Sequence, residues 1–298
     1  MEYLHVNFQA MGTACEIQLY AQSQVLAQQI AEAAIAEVRR LEAAYSRYRE
    51  DSVISAINRI AAQGGQISVD PETASLLNYA ATCYQQSDGL FDITSGLLRT
   101  VWRFDATQLP EQEHISSVLD KIGWHKLRWE APILEFLIPG MAIDFGGIVK
   151  EYAVDRVAAQ CQAAGIRHGL INLGGDLKII GPRDDGAPWC IGIQHPRKPG
   201  QVAESVLLQA GAMASSGDYT RCLVIDGVRY SHIINPKTGW PVKHLASVSV
   251  LGDFCVVAGS ASTIALLKEE QGVVWLENLG LAHLWIDVFG NSGGTLLN

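Results

Sequence analysis

Within the first 45 residues the hydrophobic period changes. In "MGTACEIQLYA", residues 11–21, Cys15, Ile17 and Leu19 alternate with Glu16, Gln18 and Tyr20, the period of a strand with one buried face. From 25 to 45, Leu26, Ile30, Ala34, Val38, Leu41 and Tyr45 recur at three or four residues and describe one face of a long helix. A strand leads into a helix.

The same reading extends along the chain. Asp70 can cap a second helix, with Pro71 pre-set for its first position, that ends near Ser87. The segment 103–130 is the least patterned, and we expect a local insertion there with one short helix at 116–122. "EFLIPGMAIDFGG" predicts a strand running into a Gly-Gly turn, and "IVKEYAVDRVAAQCQAAG" predicts a helix closed by Gly165. Short β runs punctuated by glycine follow, in "HGLINLGGDLKIIG", "WCIGIQHP" and "LVIDGVRYSHII". The last quarter predicts a strand at 246–251, helices at 256–268 and 272–279, and a final strand in "AHLWIDVFG".

Composition excludes several classes of function. An apolar fraction of 48% and a charged fraction of 18% suit an ordered globular protein. A net charge of −9, with no basic stripe, argues against nucleic acid as a partner. Six scattered cysteines without a C-x-x-C pair suit reduced thiols better than disulfides or zinc. The N-terminus lacks a basic stretch followed by an apolar one, and no apolar run spans a membrane, so the expected location is cytoplasmic.

Five stretches could carry chemistry, and each has a plainer reading. In "AIDFGGIVKEYAVDR", Gly146 and Gly147 can aim amides at an anion where a helix begins; a tight turn with Asp144 paired to Lys150 is the alternative. "GLFDITSG" buries Asp92 beside Thr94, as a site acid or as a turn cap. "INLGGDLKIIG" breaks at Gly174 and Gly175, which a hairpin turn explains. "ASSGDY" offers Ser216 and Asp218, but a Ser/His/Asp hydrolase is disfavoured without a G-x-S-x-G elbow. "YSHIINPKTGWPV" holds His232 ahead of a turn fixed by Pro236, Gly239 and Pro241, as suits a general base, although a core histidine is the commoner case.

Together with "MGT" at 11–13 and "SRYREDSVISAIN" at 46–58, these stretches in this order resemble the ApbE family of FAD:protein FMN transferases. The resemblance implies an α+β fold, ApbE-like and T-fold-related, of mixed β-sheets with packed helices and a flavin site between two lobes of a single domain over 1–298. It implies transfer of FMN from FAD to a threonine or serine hydroxyl of an acceptor flavoprotein, with AMP released and Mg2+ required. FAD pyrophosphatase activity and non-catalytic FAD binding are the alternatives. By the same resemblance, Met11, Tyr48, Asn58, Leu90, Phe91, Asp92, Asp144, Lys150 and Ile233 would contact FAD, with Asn58 also set where hydrolysis and transfer are balanced. His232 would activate the acceptor hydroxyl, with Ser216 and Asp218 shaping the site, and Gly147, Ser262 and Thr263 would hold the metal.

Two positions depart from the family pattern. Where the family has A-D-A-x-A-T, with the Asp on magnesium, this chain reads "AGSAST" at 258–263 and places Gly259 at the carboxylate position. Asn235 stands where the family more often has Asp. Weaker magnesium binding is expected, with Ser260, Ser262 or Asp253 assisting through water.

Overall fold

The structure, a computed structural model, describes residues 1–219 and 221–297. It opens with a hairpin of β1 (Glu2–Ala10) and β2 (Thr13–Ala21), paired in full register. Met11 and Gly12 both have positive φ, the geometry of a two-residue turn whose twist matches the strands. β2 leads into α1 (Gln24–Tyr45), capped by Ser23, which buries the stripe running from Ile30 to Tyr45. Then come α2 (Val53–Gln63), capped by Ser52, β3 (Gly65–Ser68), and α3 (Pro71–Gln86), whose first amides are accepted by Asp70.

A 3-10 helix (Ile93–Thr100) precedes α4 (Gln112–Leu119), β4 (Leu127–Glu130) and β5 (Ile133–Phe136). The short helix therefore lies earlier than the expected 116–122, because Ile115 and its neighbours Val118 and Leu119 are the residues that face this region's core. β3, β5 and β4 form a small antiparallel sheet. Past Phe136 the expected strand does not continue: residues 141–145 belong to no sheet, and their backbone is held by Asn58 and the Ile93 carbonyl.

α5 (Val149–Ala163) is followed by β6 (His168–Leu173), β7 (Asp176–Gly181), β8 (Trp189–Gln194), β9 (Val202–Leu208) and β10 (Gly211–Gly217). β11 (Cys222–Ile225) and β12 (Val228–Ser231) make a separate hairpin. The chain closes with β13 (Leu245–Gly252), α6 (Cys255–Leu267), α7 (Gly272–Asn278), β14 (His283–Asp287) and β15 (Ser292–Gly293).

Among the described residues the main sheet has eight strands in the order β1-β2-β6-β7-β10-β13-β14-β15, antiparallel throughout. α1, α5 and α6 pack together over it and bury the main core. A second apolar cluster, with Tyr20, Leu170, Trp189 and Met213, unites sheet residues with the β8–β9 hairpin. α6 is apolar nearly all round, as a helix enclosed between the sheet and its neighbours must be. Its start is closed from outside: Asp155 of α5 accepts the Cys255 and Val256 amides at 2.9 Å each. No helix among the described residues is long and apolar enough to cross a membrane. All six cysteines are unpaired, four of them buried.

The unpatterned region is anchored to the His232 loop. Leu98, Trp102, Ile115, Ile122 and Leu223 form a third core, and Trp102 Nε1 donates to the Gly239 carbonyl at 2.7 Å. Gly239 has φ +73°, and a Cβ there would collide with Ile115.

Candidate active site

Two hairpin turns lie side by side at one end of the main sheet. Gly174 and Gly175, both at positive φ, turn β6 into β7, and a Cβ on Gly174 would strike Thr13 beside the Met11–Gly12 turn. The amide of Met11 donates to Glu42 at 2.6 Å, while Gly12 leaves room for the Arg221 guanidinium, which would stand 3.6 Å from a Cβ.

Arg221 belongs to a group of cations that sequence reading missed. Arg47 donates to Asp144 at 3.3 Å and to the Tyr48 hydroxyl at 2.8 Å, with its guanidinium 4.8 Å from the Tyr48 ring centre. The Tyr48 ring itself is 78% exposed. Its hydroxyl pKa is lowered by the Arg47 hydrogen bond first, and also by the charges of Arg99 and Arg221. Burial, and to a lesser degree Arg47 and Arg221, lower the pKa of Arg99, which makes no salt bridge among the described residues. Only Arg47 is flagged in sequence, by the "SRYRED" motif; Arg99 and Arg221 stand in separate stretches that carry no such pattern.

His232 borders this group. Its Nδ1 lies 2.9 Å from the Arg221 carbonyl, which can only accept, so Nδ1 carries the proton and the neutral ring leaves its Nε2 lone pair free. Burial lowers the imidazole pKa, opposed by that carbonyl and by Asp218 and reinforced by Arg99 and Arg221. Asp218 itself is held in a two-point pair with Arg197, at 2.6 and 2.7 Å. The loop beyond His232 is pinned by its own backbone: the Val242 amide donates to Ile233, and the Asn235 side chain accepts the Lys237 amide at 2.9 Å.

At the Gly-Gly turn one of the two amides is already taken. Asp144 Oδ1 accepts the Gly146 amide at 2.8 Å, so a carboxylate already occupies that donor. Positive potential for an anionic ligand therefore comes chiefly from the arginines. The alternative pairing of Asp144 with Lys150 is also absent: Asp144 pairs with Arg47, while Lys150 pairs with buried Asp176 at the start of β7. Gly147 permits the Phe91 ring to approach, since a Cβ would lie 3.3 Å from it.

Asp92 clasps the chain around it. One oxygen accepts the Thr94 amide and hydroxyl, the other accepts the Trp124 amide, and Thr94 in turn accepts the Gly123 amide. Burial raises its pKa, against these donors. Both oxygens are engaged, so Asp92 positions the neighbouring Leu90 and Phe91, which pack on the core. Asn58 is likewise engaged at both ends, on the Ile143 backbone.

On the helix side, Ser216 of β10 is a hub. Its hydroxyl lies 2.7 Å from Ser262 Oγ and 2.8 Å from Thr263 Oγ1, and Ser262 donates to the Gly259 carbonyl. Ser262 is fully buried, whereas Thr263 is partly exposed. The chain itself joins the two groups: Asp144 leads to Gly147 in the turn before α5, and Ser216 leads to Asp218 at the end of β10. A buried oxygen with no hydrogen-bond partner among the described residues, Glu151 Oε2, adjoins this helix side. Such an oxygen fits a cation, as do the Thr263 hydroxyl and the Gly147 carbonyl, all hard donors of the kind that magnesium prefers.

These features define an α+β protein whose site combines clustered arginines, a neutral imidazole and a hydroxyl-rich helix face. The chain belongs to the ApbE family, whose model matches residues 11–285. It is 30% identical over 284 residues to the FAD:protein FMN transferase of Vibrio cholerae serotype O1, covering 93% of this chain and 85% of the relative. The Escherichia coli K12 FAD:protein FMN transferase is 28% identical over 267 residues, 85% of this chain and 75% of that one. Among solved structures, the ApbE protein of Thermotoga maritima matches with a TM-score of 0.90 at 30% identity, covering 99% of this chain and 97% of the other. The apo flavinyl transferase ApbE of Pseudomonas stutzeri matches with a TM-score of 0.87 at 28% identity, covering 98% and 93%.

Proposed function

We propose that this chain transfers FMN from FAD to a threonine or serine hydroxyl of a target flavoprotein, releasing AMP in a magnesium-dependent reaction. The names of the relatives support flavin transfer. The observation that carries the chemistry is the neutral His232 ring, its Nε2 without a hydrogen-bond partner among the described residues, held beside Arg99 and Arg221.

In this reading Tyr48 offers an exposed aromatic face for stacking, and Met11, Leu90, Phe91 and Ile233 supply apolar contact to the flavin nucleotide. The arginines draw in the diphosphate, and Lys150 adds a cation near the ligand's polar groups. The acceptor oxygen attacks the phosphorus of the FMN half, its proton passes to His232 Nε2, and the bond to the bridging oxygen breaks so that AMP leaves. Ser216 and Asp218 place their neighbours rather than react: Ser216 orients Thr263, and Asp218, held by Arg197, sets its charge near His232. Thr263, the Gly147 carbonyl and, through its tie to Gly259, Ser262 would build the magnesium site. When bound, the metal supplies neutralisation of charge on the phosphoryl oxygens.

The test is His232→Ala. The variant is expected to bind FAD with little loss while AMP release and the FMN adduct both disappear; a variant as active as the unaltered protein contradicts the assignment.

A further inference from the structure

Glu151 carries one carboxylate oxygen that has no hydrogen-bond partner among the described residues. The residue is 8% exposed, and its Oε2 meets no donor among the described residues. Its other oxygen lies 3.4 Å from Lys150 Nζ, but that ammonium is already paired with Asp176. A buried carboxylate oxygen is costly unless a donor or a cation meets it. The side chain occupies the space above Gly259, where a Cβ would stand 2.5 Å from Glu151 Cγ and 3.3 Å from its Oε1. An acidic side chain at 259 and the present Glu151 would compete for one volume.

Chain spacing puts this carboxylate near the residues named for the metal. Gly147 lies in the turn that enters α5, a few residues ahead of Glu151, and Thr263 lies one turn beyond Gly259 on α6. The two helices pack against each other. The Gly147 carbonyl accepts no backbone hydrogen bond among the described residues outside regular elements. Of the other oxygens expected to assist, the Ser260 hydroxyl is turned elsewhere: it donates to Val256 and receives Tyr79.

We propose that Glu151, reaching from α5 across Gly259, supplies the carboxylate ligand of the magnesium site that position 259 lacks. The inference deepens the flavin-transfer reading and rests on it for the identity of the metal. One carboxylate is enough for magnesium when phosphate oxygens and water complete the shell. This suits a chain in which no three His, Cys, Asp or Glu gather among the described residues.

Mn2+ serves as the probe, titrated into the full chain with FAD present and followed by electron paramagnetic resonance. FAD affinity is read separately, without metal, from tryptophan fluorescence. Glu151→Gln is expected to weaken Mn2+ binding at least about tenfold, a loss that even outer partners of metal sites commonly produce, and to leave metal-free FAD affinity unchanged. The exchange variant Glu151→Gly with Gly259→Asp returns a carboxylate from α6 and is expected to recover most of the Mn2+ affinity. Undiminished Mn2+ binding by Glu151→Gln, no Mn2+ binding by the unaltered chain, or a folded exchange variant that fails to bind the ion overturns the inference. Loss of Mn2+ in Glu151→Gln, alongside an unaltered chain that binds FAD but never transfers FMN, leaves the ligand assignment standing and removes only the transfer reading.

Discussion

The side-chain amide of Asn58 grips both backbone groups of Ile143: Nδ2 donates to the carbonyl at 3.0 Å, and Oδ1 accepts the N–H at 2.8 Å. Ile143 is buried and sits in a segment with no strand to pair it. The next residue is Asp144, which receives Arg47 and the Gly146 amide. One residue of α2 thereby sets the position of the loop that enters α5.

Removing that grip should be felt in both stability and chemistry. Asn58→Ala leaves the Ile143 groups unpaired and is expected to cost about 1–3 kcal/mol, read as a lowered denaturation midpoint. With Asp144 less firmly placed, water competes better with the acceptor, so the ratio of FMN adduct to AMP should fall. A ratio unchanged in the variant would detach Asn58 from the balance between transfer and hydrolysis.

Acid should switch the enzyme off through His232. The reactive form is the neutral ring, and burial together with Arg99 and Arg221 lowers its pKa from the ordinary 6.5, against the Arg221 carbonyl and Asp218. Protonation therefore begins only at a pH lower than for a free imidazole, and single-turnover transfer should decline with an inflection below 6.5. Arg221→Ala removes one of the charges that disfavour the imidazolium, so the inflection should move upward. A downward or absent movement counts against this placement of the base.

Arg99 should matter for holding the diphosphate. It makes no salt bridge among the described residues, and burial is the first cause of its lowered pKa, so its charge is left for an anionic ligand to meet. Loss of a charged hydrogen bond typically costs about 1.5–3 kcal/mol, so Arg99→Ala is expected to weaken FAD binding about tenfold or more. Riboflavin, which has no phosphate, should be affected little. Titration of both ligands against the variant makes the comparison.

The turn after His232 is predicted to be intolerant. Gly239→Ala places a side chain at φ +73° and against Ile115, for which strain of about 1–3 kcal/mol is typical. Trp102→Phe keeps most of the packing but loses the donor to the Gly239 carbonyl, for which about 1 kcal/mol is expected. Thermal denaturation of the two variants should rank Gly239→Ala as the less stable.

Local physics made much of this fold legible. Period marks β2 and α1, the Gly-Gly turn and Gly165 bracket α5, and Asp70 with Pro71 marks the start of α3. β1 carries a comparable signal, with Leu4, Val6 and Phe8 alternating with His5 and Asn7. The site was less legible. His232 could be singled out because two prolines and a glycine fix its neighbourhood, but Arg99 and Arg221 join it only through tertiary packing. Asp92 and Asn58 could be named from their motifs, but not their partners: Trp124 and Ile143 are distant in sequence, so only the folded backbone shows that both side chains are engaged. The missing acid at Gly259 was visible, whereas the carboxylate of Glu151 above it required the α5–α6 packing.

The most direct test of flavin transfer is to incubate the purified chain with FAD, Mg2+ and a threonine-bearing acceptor domain, following AMP and the intact mass of the acceptor together. The account predicts AMP and an FMN-sized mass increase in equal amounts, both lost when Mg2+ is chelated. Bound FAD with no AMP and no mass increase contradicts it.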